Sequence, residues 1–162
     1  EQVIKGDPTY GDYWISEEKF HELESCKVSP GDILISLVGT VGKVLILPDN
    51  CKPGIINPRL VKFSLDQKIS KQYVKLYLES PLAKNRLFGD SHGGTMEILN
   101  LEILKNLPLP LPPLAEQYEI VRRVGMLFER ADAIDREVVE AGRRCERLTQ
   151  AVLAKAFTGK LV

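Results

Sequence analysis

The residues of this chain that could do chemistry are few and scattered. Gly39, Gly42 and Lys43, within "GDILISLVGTVGKVLIL" (31–47), offer the glycines and the lysine of a phosphate cradle. A P-loop also needs a glycine five residues before its Gly-Lys pair, and a Ser or Thr after the lysine to hold Mg²⁺. Those places are taken by Leu37 and Val44. The Gly-x-Gly-x-x-Gly turn of dinucleotide sites is missing, and Val44-Leu45-Ile46-Leu47 continues as a strand rather than a helix. The glycines therefore suit a hairpin turn, where positive φ or close backbone approach is needed. Cys26, Cys51 and Cys145 are odd in number and far apart, without Cys-x-x-Cys or Cys/His ligand spacing, so no metal site is expected. Reduced cytosolic thiols are the natural reading. His21 falls on a surface helix and His92 in a glycine-rich loop. No Gly-x-Ser-x-Gly, His-Glu-x-x-His or paired-aspartate motif accompanies them. Asn57-Pro58-Arg59 shares two residues with the Asn-Pro-Pro-aromatic motif of adenine methyltransferases. It lacks the second proline, the aromatic and any cofactor loop before it, so the match is chance. No catalytic residue is assigned.

The elements that must position these residues fall into three regions. Residues 1–15 read as loop, with turn signals at Gly6-Asp7-Pro8 and Gly11-Asp12. Ser16 caps a short helix over Glu17 to Ser25, with acids in its first turn. Strands follow near 32–38, 43–47 and 59–65. Ser70 caps a helix from Lys71 to Glu79 that buries Tyr73, Leu76 and Tyr77, and Ser80-Pro81 restarts helix as far as a stop at Gly89. "GDSHGGTMEIL" (89–99) reads as a polar loop entering a short strand, and Asn100 caps one turn through Lys105. "NLPLPLPPL" (106–114) holds four prolines, which forbid helix and force extended backbone. An edge strand leading into a rigid boundary is expected there, in preference to an SH3-type ligand.

Beyond Pro113 the pattern changes. Residues 114–157 contain no proline and seven arginines. Ile120, Val124, Leu127, Ala131, Ile134, Val138, Ala141, Cys145, Leu148 and Val152 recur at alternating steps of four and three, a coiled-coil seam. A helix of that length would run about 66 Å at 1.5 Å per residue. A domain of this size is about 30 Å across, so the seam needs another long helix beside it. The expected architecture is α+β: a small mixed α/β domain over 1–112, then one long coiled-coil helix over 113–162.

Charge excludes a bulk electrostatic function. The 162 residues hold 22 basic and 22 acidic side chains, with a net of −4 over 1–31, +3 over 32–113 and +1 over 114–162. A nucleic-acid contact must then come from a local patch. No apolar run approaches the roughly 20 residues of a membrane span, and no leader pattern is present. The chain opens at Glu1, in mid-pattern, as a piece of a longer protein would.

Three stretches together resemble the specificity subunit of type I restriction–modification enzymes. "SPGDILISLVGTVGKVLIL" (29–47) is similar to the hairpin of that family's target recognition domain. "NLEILKNLPLPLPPLAEQYEIVRRV" (100–124) is similar to its exit segment, where Leu-Pro-Pro-Leu and Glu116-Gln117 lead into the long helix. "RLTQAVLAKAFTGKLV" (147–162) resembles the end of that helix. One departure is that the family's recognition domain normally carries several dozen further residues upstream, including its first strands.

The resemblance implies a non-catalytic, cytoplasmic prokaryotic subunit that reads one half of a bipartite target in double-stranded DNA. It implies partner methyltransferase subunits carrying S-adenosylmethionine, and restriction subunits using ATP and Mg²⁺, with no cofactor on this chain. Two long helices would space the two readers and pack antiparallel. With only one of them here, a homodimer through the Ile120–Val152 stripe is expected. Base-reading residues vary within the family, so candidates come from chemistry: Thr40 and Lys43 at the hairpin, Asn57 and Arg59 after a turn, and Ser91, His92 and Thr95 in the glycine-rich loop. Asn57 could bond adenine and Arg59 guanine, each pair being worth about 1–3 kcal/mol of discrimination. For each taken singly, a turn residue or a solvated cation is the preferred reading. The alternative function is a coiled-coil adaptor without DNA specificity.

Overall fold

A computed structural model describes residues 1–38, 41–88 and 101–160. They form two compact units, 1–121 and 122–162.

The first unit is built on a three-stranded antiparallel sheet in the order β3-β2-β5, with β2 at Ile33–Ser36, β3 at Val44–Ile46 and β5 at Leu60–Phe63. Ile33 pairs with Ile46 on one side and Phe63 on the other, and Ile35 with Val44 and Val61. All four residues of β2 are buried, because both faces of the sheet are covered. Ile33, Ile35 and Val44 point into a core with Val74, Leu78, Leu87 and Leu104. Those residues belong to the helices α3 (Lys71–Glu79), α4 (Pro81–Phe88) and α5 (Leu101–Lys105). Leu34 and Leu45 point the other way, into a second cluster with Val3, Val28 and Leu47. Successive side chains of a strand alternate faces, so one apolar run serves two cores. On the second face, Lys62 reaches past Leu34 to donate to the Lys27 carbonyl at 2.6 Å.

Several expectations need correction. Residues 2–5 are not loop but a one-turn helix, α1 (Gln2–Lys5), ended by Gly6 at φ 70°. Val3 is buried in the second cluster, and that contact holds a turn too short to show a period. The helix capped by Ser16, α2, stops at Glu22 and passes into a 3-10 turn over Glu24–Cys26. It fully buries no residue; Ser16 caps it, and Phe20 is half-buried beneath the Lys27 ammonium, 4.7 Å from the ring centre. A two-residue ladder pairs β1 (Lys27–Val28) with β4 (Gly54–Ile55), and neither strand was anticipated. On α3 the buried set is Tyr73, Val74, Tyr77 and Leu78, while Leu76 is only half-buried. The stops and caps expected at Gly89 and Asn100, and the strand between them, lie outside the described residues.

The proline-rich stretch joins no sheet. Its prolines have no N–H to give a ladder, so the segment is held through its carbonyls instead. Tyr77 donates its hydroxyl to the Pro108 carbonyl, Tyr73 donates to Pro110 at 2.7 Å, and the Gln117 amide donates to Pro112 at 2.8 Å. Burial pushes the Tyr73 phenol up, and the nearby Glu116 carboxylate adds to that, so it stays a donor.

The long helix α6 is continuous from Leu114 to Phe157, 44 residues. Its first two turns belong to the first unit. In the second unit Leu127, Ile134, Val138 and Leu148 are each 60–65% exposed. The coiled-coil stripe thus lies open along a single chain.

Candidate functional site

The end of the sheet where β2 finishes gathers three of the candidate residues. Ser36, the last residue of β2, is 3% exposed and lies between Lys43, just before β3, and Leu60 of β5. Its Oγ accepts from the Lys43 backbone N–H at 3.1 Å, and its carbonyl accepts from Gly42 at 3.0 Å. Gly42 takes φ 74°, a conformation that side chains resist, and an added Cβ would come within 3.2 Å of the Phe88 ring. On the β5 side, Leu37 donates its N–H to the Arg59 carbonyl at 2.8 Å. The Asn57 side-chain oxygen accepts from the Arg59 N–H at 2.9 Å, and its carbonyl accepts from Leu60. This is an Asx turn.

Lys43, Asn57, Pro58 and Arg59 are all exposed. Lys43 and Arg59, the residues just before β3 and β5, flank the end of β2 from opposite sides, so their backbones stand about 10 Å apart, two strand spacings. No acidic side chain among the described residues pairs with either cation. The arrangement is a small positive edge made from two turns locked to one strand end. Asn57 spends one lone pair on its own turn, which makes it first a shaper of the loop that displays Arg59. Because β3 follows Lys43 directly, no helix begins after Gly42-Lys43 as a phosphate cradle requires.

Thr40, Ser91, His92 and Thr95 lie outside the described residues. Phe88, the last described residue before residue 101, packs beside Gly42 at the same end of the sheet. Of the dimerisation candidates, Ile120 and Val124 are half-buried within their own chain, while Leu127, Ala131, Ile134, Val138, Ala141, Cys145, Leu148 and Val152 are exposed. They occur along one unbroken helix, as their spacing requires.

Sequence reasoning missed the role of Gln117. It is 1% exposed, its Oε1 accepts from the Ser70 N–H at 2.8 Å, and its amide holds Pro112. The available signal was a glutamine at a position that continues the apolar seam, seven residues before Val124. A second region also went unnoticed. An open cavity of about 1090 Å³ lies on the second face of the sheet, lined by Val28, Leu34, Leu45, Leu47, Phe20 and Trp14 among others. Lys52 stands over the Trp14 ring, 5.3 Å from its centre. Among the described residues no cluster of His, Cys, Asp and Glu could hold a metal ion, and no helix is long and apolar enough to cross a membrane.

Comparison with known proteins bears on the family of the chain. The family model described as the type I restriction modification DNA specificity domain matches residues 4–138. The type I restriction enzyme EcoBI specificity subunit of Escherichia coli is 38% identical over 148 residues, covering 91% of this chain and 31% of that protein. The EcoKI specificity subunit of Escherichia coli strain K12 is 35% identical over 156 residues, covering 86% of this chain and 32% of that protein. The chain thus spans about a third of the length of these curated relatives. A chain solved in a study of complex assembly and conformational transition of the type I R-M system superposes with a TM-score of 0.64. It is 27% identical, and the match covers 84% of this chain and 33% of that one.

Proposed function

The chain belongs to the type I restriction–modification DNA specificity family, and from that premise we propose that it reads one half of a bipartite DNA target and docks methyltransferase subunits. The family match over residues 4–138 carries the reading. The exposed edge of Lys43 and Arg59 supports it, since both cations are free of acidic partners among the described residues and hang on turns fixed by backbone bonds. Arg59 reads a guanine edge through a bidentate pair, and Lys43 neutralises a phosphate. Asn57 holds the turn that presents Arg59. Thr40, Ser91, His92 and Thr95 complete the reader. The subunit itself is not an enzyme. S-adenosylmethionine, ATP and Mg²⁺ act on the methyltransferase and restriction subunits, and this chain takes none of them. A second copy of the chain covers the α6 stripe, forming a two-fold antiparallel homodimer.

Selection from random-sequence duplex pools, followed by fluorescence anisotropy on the enriched DNA, tests the reading. Arg59→Ala should cost about 1–3 kcal/mol and relax one base position, while Lys43→Ala should lower the salt slope by about one without changing the preferred sequence. Wild-type affinity and salt slope in both variants would remove this edge from the reader. An adaptor whose only working part is the helix would enrich no sequence at all.

A further inference from the structure

The bonds that hold the proline strap share a metric. Tyr73 and Tyr77 stand four residues apart on α3, a rise of about 6.0 Å. Pro110 and Pro108, whose carbonyls they hold, are two residues apart on extended backbone, about 6.2–6.8 Å. Helix and strap therefore run antiparallel in step, one hydroxyl to every second carbonyl. Gln117 closes the row. Its amide takes the third carbonyl, of Pro112, and its oxygen takes the N–H of Ser70, the residue that caps α3. One side chain of α6 is thus bonded at once to the strap and to the start of α3, in a place closed to water.

Only an amide of this length does both jobs. A carboxylate accepts but cannot donate, and a leucine does neither. Turning α6 by one residue swings the side chain through about 100° and breaks both bonds together. The lock therefore selects a single rotational setting for the opening turns of the helix.

We propose that Gln117 is a positioning residue for bipartite recognition: by holding the opening turns of α6 in one setting on the strap and α3, it fixes the number of base pairs tolerated between the two half-sites. This rests on the DNA-reading function proposed above. α6 is continuous from Leu114 to Phe157, so each 10° of turn about its axis at Gln117 carries the apolar stripe round by about the same 10°.

The test uses the protein assembled with its methyltransferase subunits. Half-sites are first selected from random DNA, then held fixed while their separation is varied one base pair at a time. Each added base pair turns the second half-site by about 35°, so the wild type should prefer one separation by about tenfold or more, as it would a matched over a mismatched base pair. Gln117→Leu should keep the base preferences within each half-site, while its preference among neighbouring separations falls below about threefold. A merely structural role would lower the melting temperature and weaken every separation alike, leaving the ratios unchanged. That result in a folded Gln117→Leu assembly overturns the proposal. Where Gln117→Leu does not fold, the Tyr73→Phe/Tyr77→Phe pair, which removes two strap bonds and keeps the packing, decides by the same ratios. A wild type that enriches no bipartite sequence overturns the DNA-reading function itself, a result distinct from both.

Discussion

Val138→Asp probes whether a second helix covers the α6 stripe. Val138 is 64% exposed in the single chain and lies close to the midpoint of Ile120–Val152, so an antiparallel two-fold partner would bring it near Ile134 of the other copy. Fully burying a valine is worth about 1.5–3 kcal/mol, so covering this much of one contributes about 1–2 kcal/mol per copy. Two copies lose about 2–4 kcal/mol on substitution, and each unpaired carboxylate in a dry seam adds several more. A loss of about 5 kcal/mol or more turns a micromolar dimer, near −8.2 kcal/mol, into one weaker than millimolar. Sedimentation equilibrium at about 10 μM reads the change against an 18.2 kDa protomer. Wild type should sediment as a dimer, Val138→Asp as a monomer with its first unit folded, and Arg136→Asp, off the stripe, as a dimer. A monomeric wild type, or a dimeric Val138→Asp, refutes the reasoning.

The thiols give an independent reading of the same seam. Cys145 is exposed in the single chain, so a thiol reagent at pH 8 should modify it quickly in Val138→Asp and slowly in wild type. Cys51 should be slow in both, because burial, with the Asp32 carboxylate next, pushes its thiol up. Equal Cys145 rates in the two proteins would argue against a covered stripe. The strap has its own pH signature. The folded phenol of Tyr73 titrates above its unfolded value of 10.0, so its contribution is complete below about pH 10 and is lost as pH rises toward the folded value. Tyr73→Phe should cost about 1 kcal/mol in urea titrations at pH 8 and flatten the fall in stability above pH 10 relative to wild type.

The parts of the fold legible in the sequence were those with strong local punctuation. Ser70 as a cap and Ser80-Pro81 as a break set α3 to its residues, and Pro113 sets the start of α6. The three apolar runs became the three sheet strands. What escaped depends on contacts distant in sequence. α1 persists because Val3 meets Val28 and Leu34, and the β1–β4 ladder joins residues more than 25 apart with two residues per strand. The strap was read as an edge strand because its extended backbone was legible and its partners were not. Tyr73, Tyr77 and Gln117 reach it from 37, 31 and 5 residues away. For the site, spacing placed Asn57 and Arg59 after a turn. Only the structure brings that turn beside Lys43, through the bond from Leu37 to Arg59.

That bond also bears on how readily such a protein can change. The hairpin end and the Asx turn are pinned by the main chain at positions 43 and 59, through Lys43 to Ser36 and Arg59 to Leu37 and Asn57. The lysine and arginine side chains contribute nothing to that pinning and stand in solvent. Substitution at either position leaves the scaffold's own bonds intact, so, on the DNA-reading function proposed above, foldability and target choice would be stored in separate atoms of the same residues. On that reading, new specificities would arise by single steps through folded intermediates. Gly42, Ser36 and Asn57 have no such freedom, and a saturation library across these five positions should divide along that line.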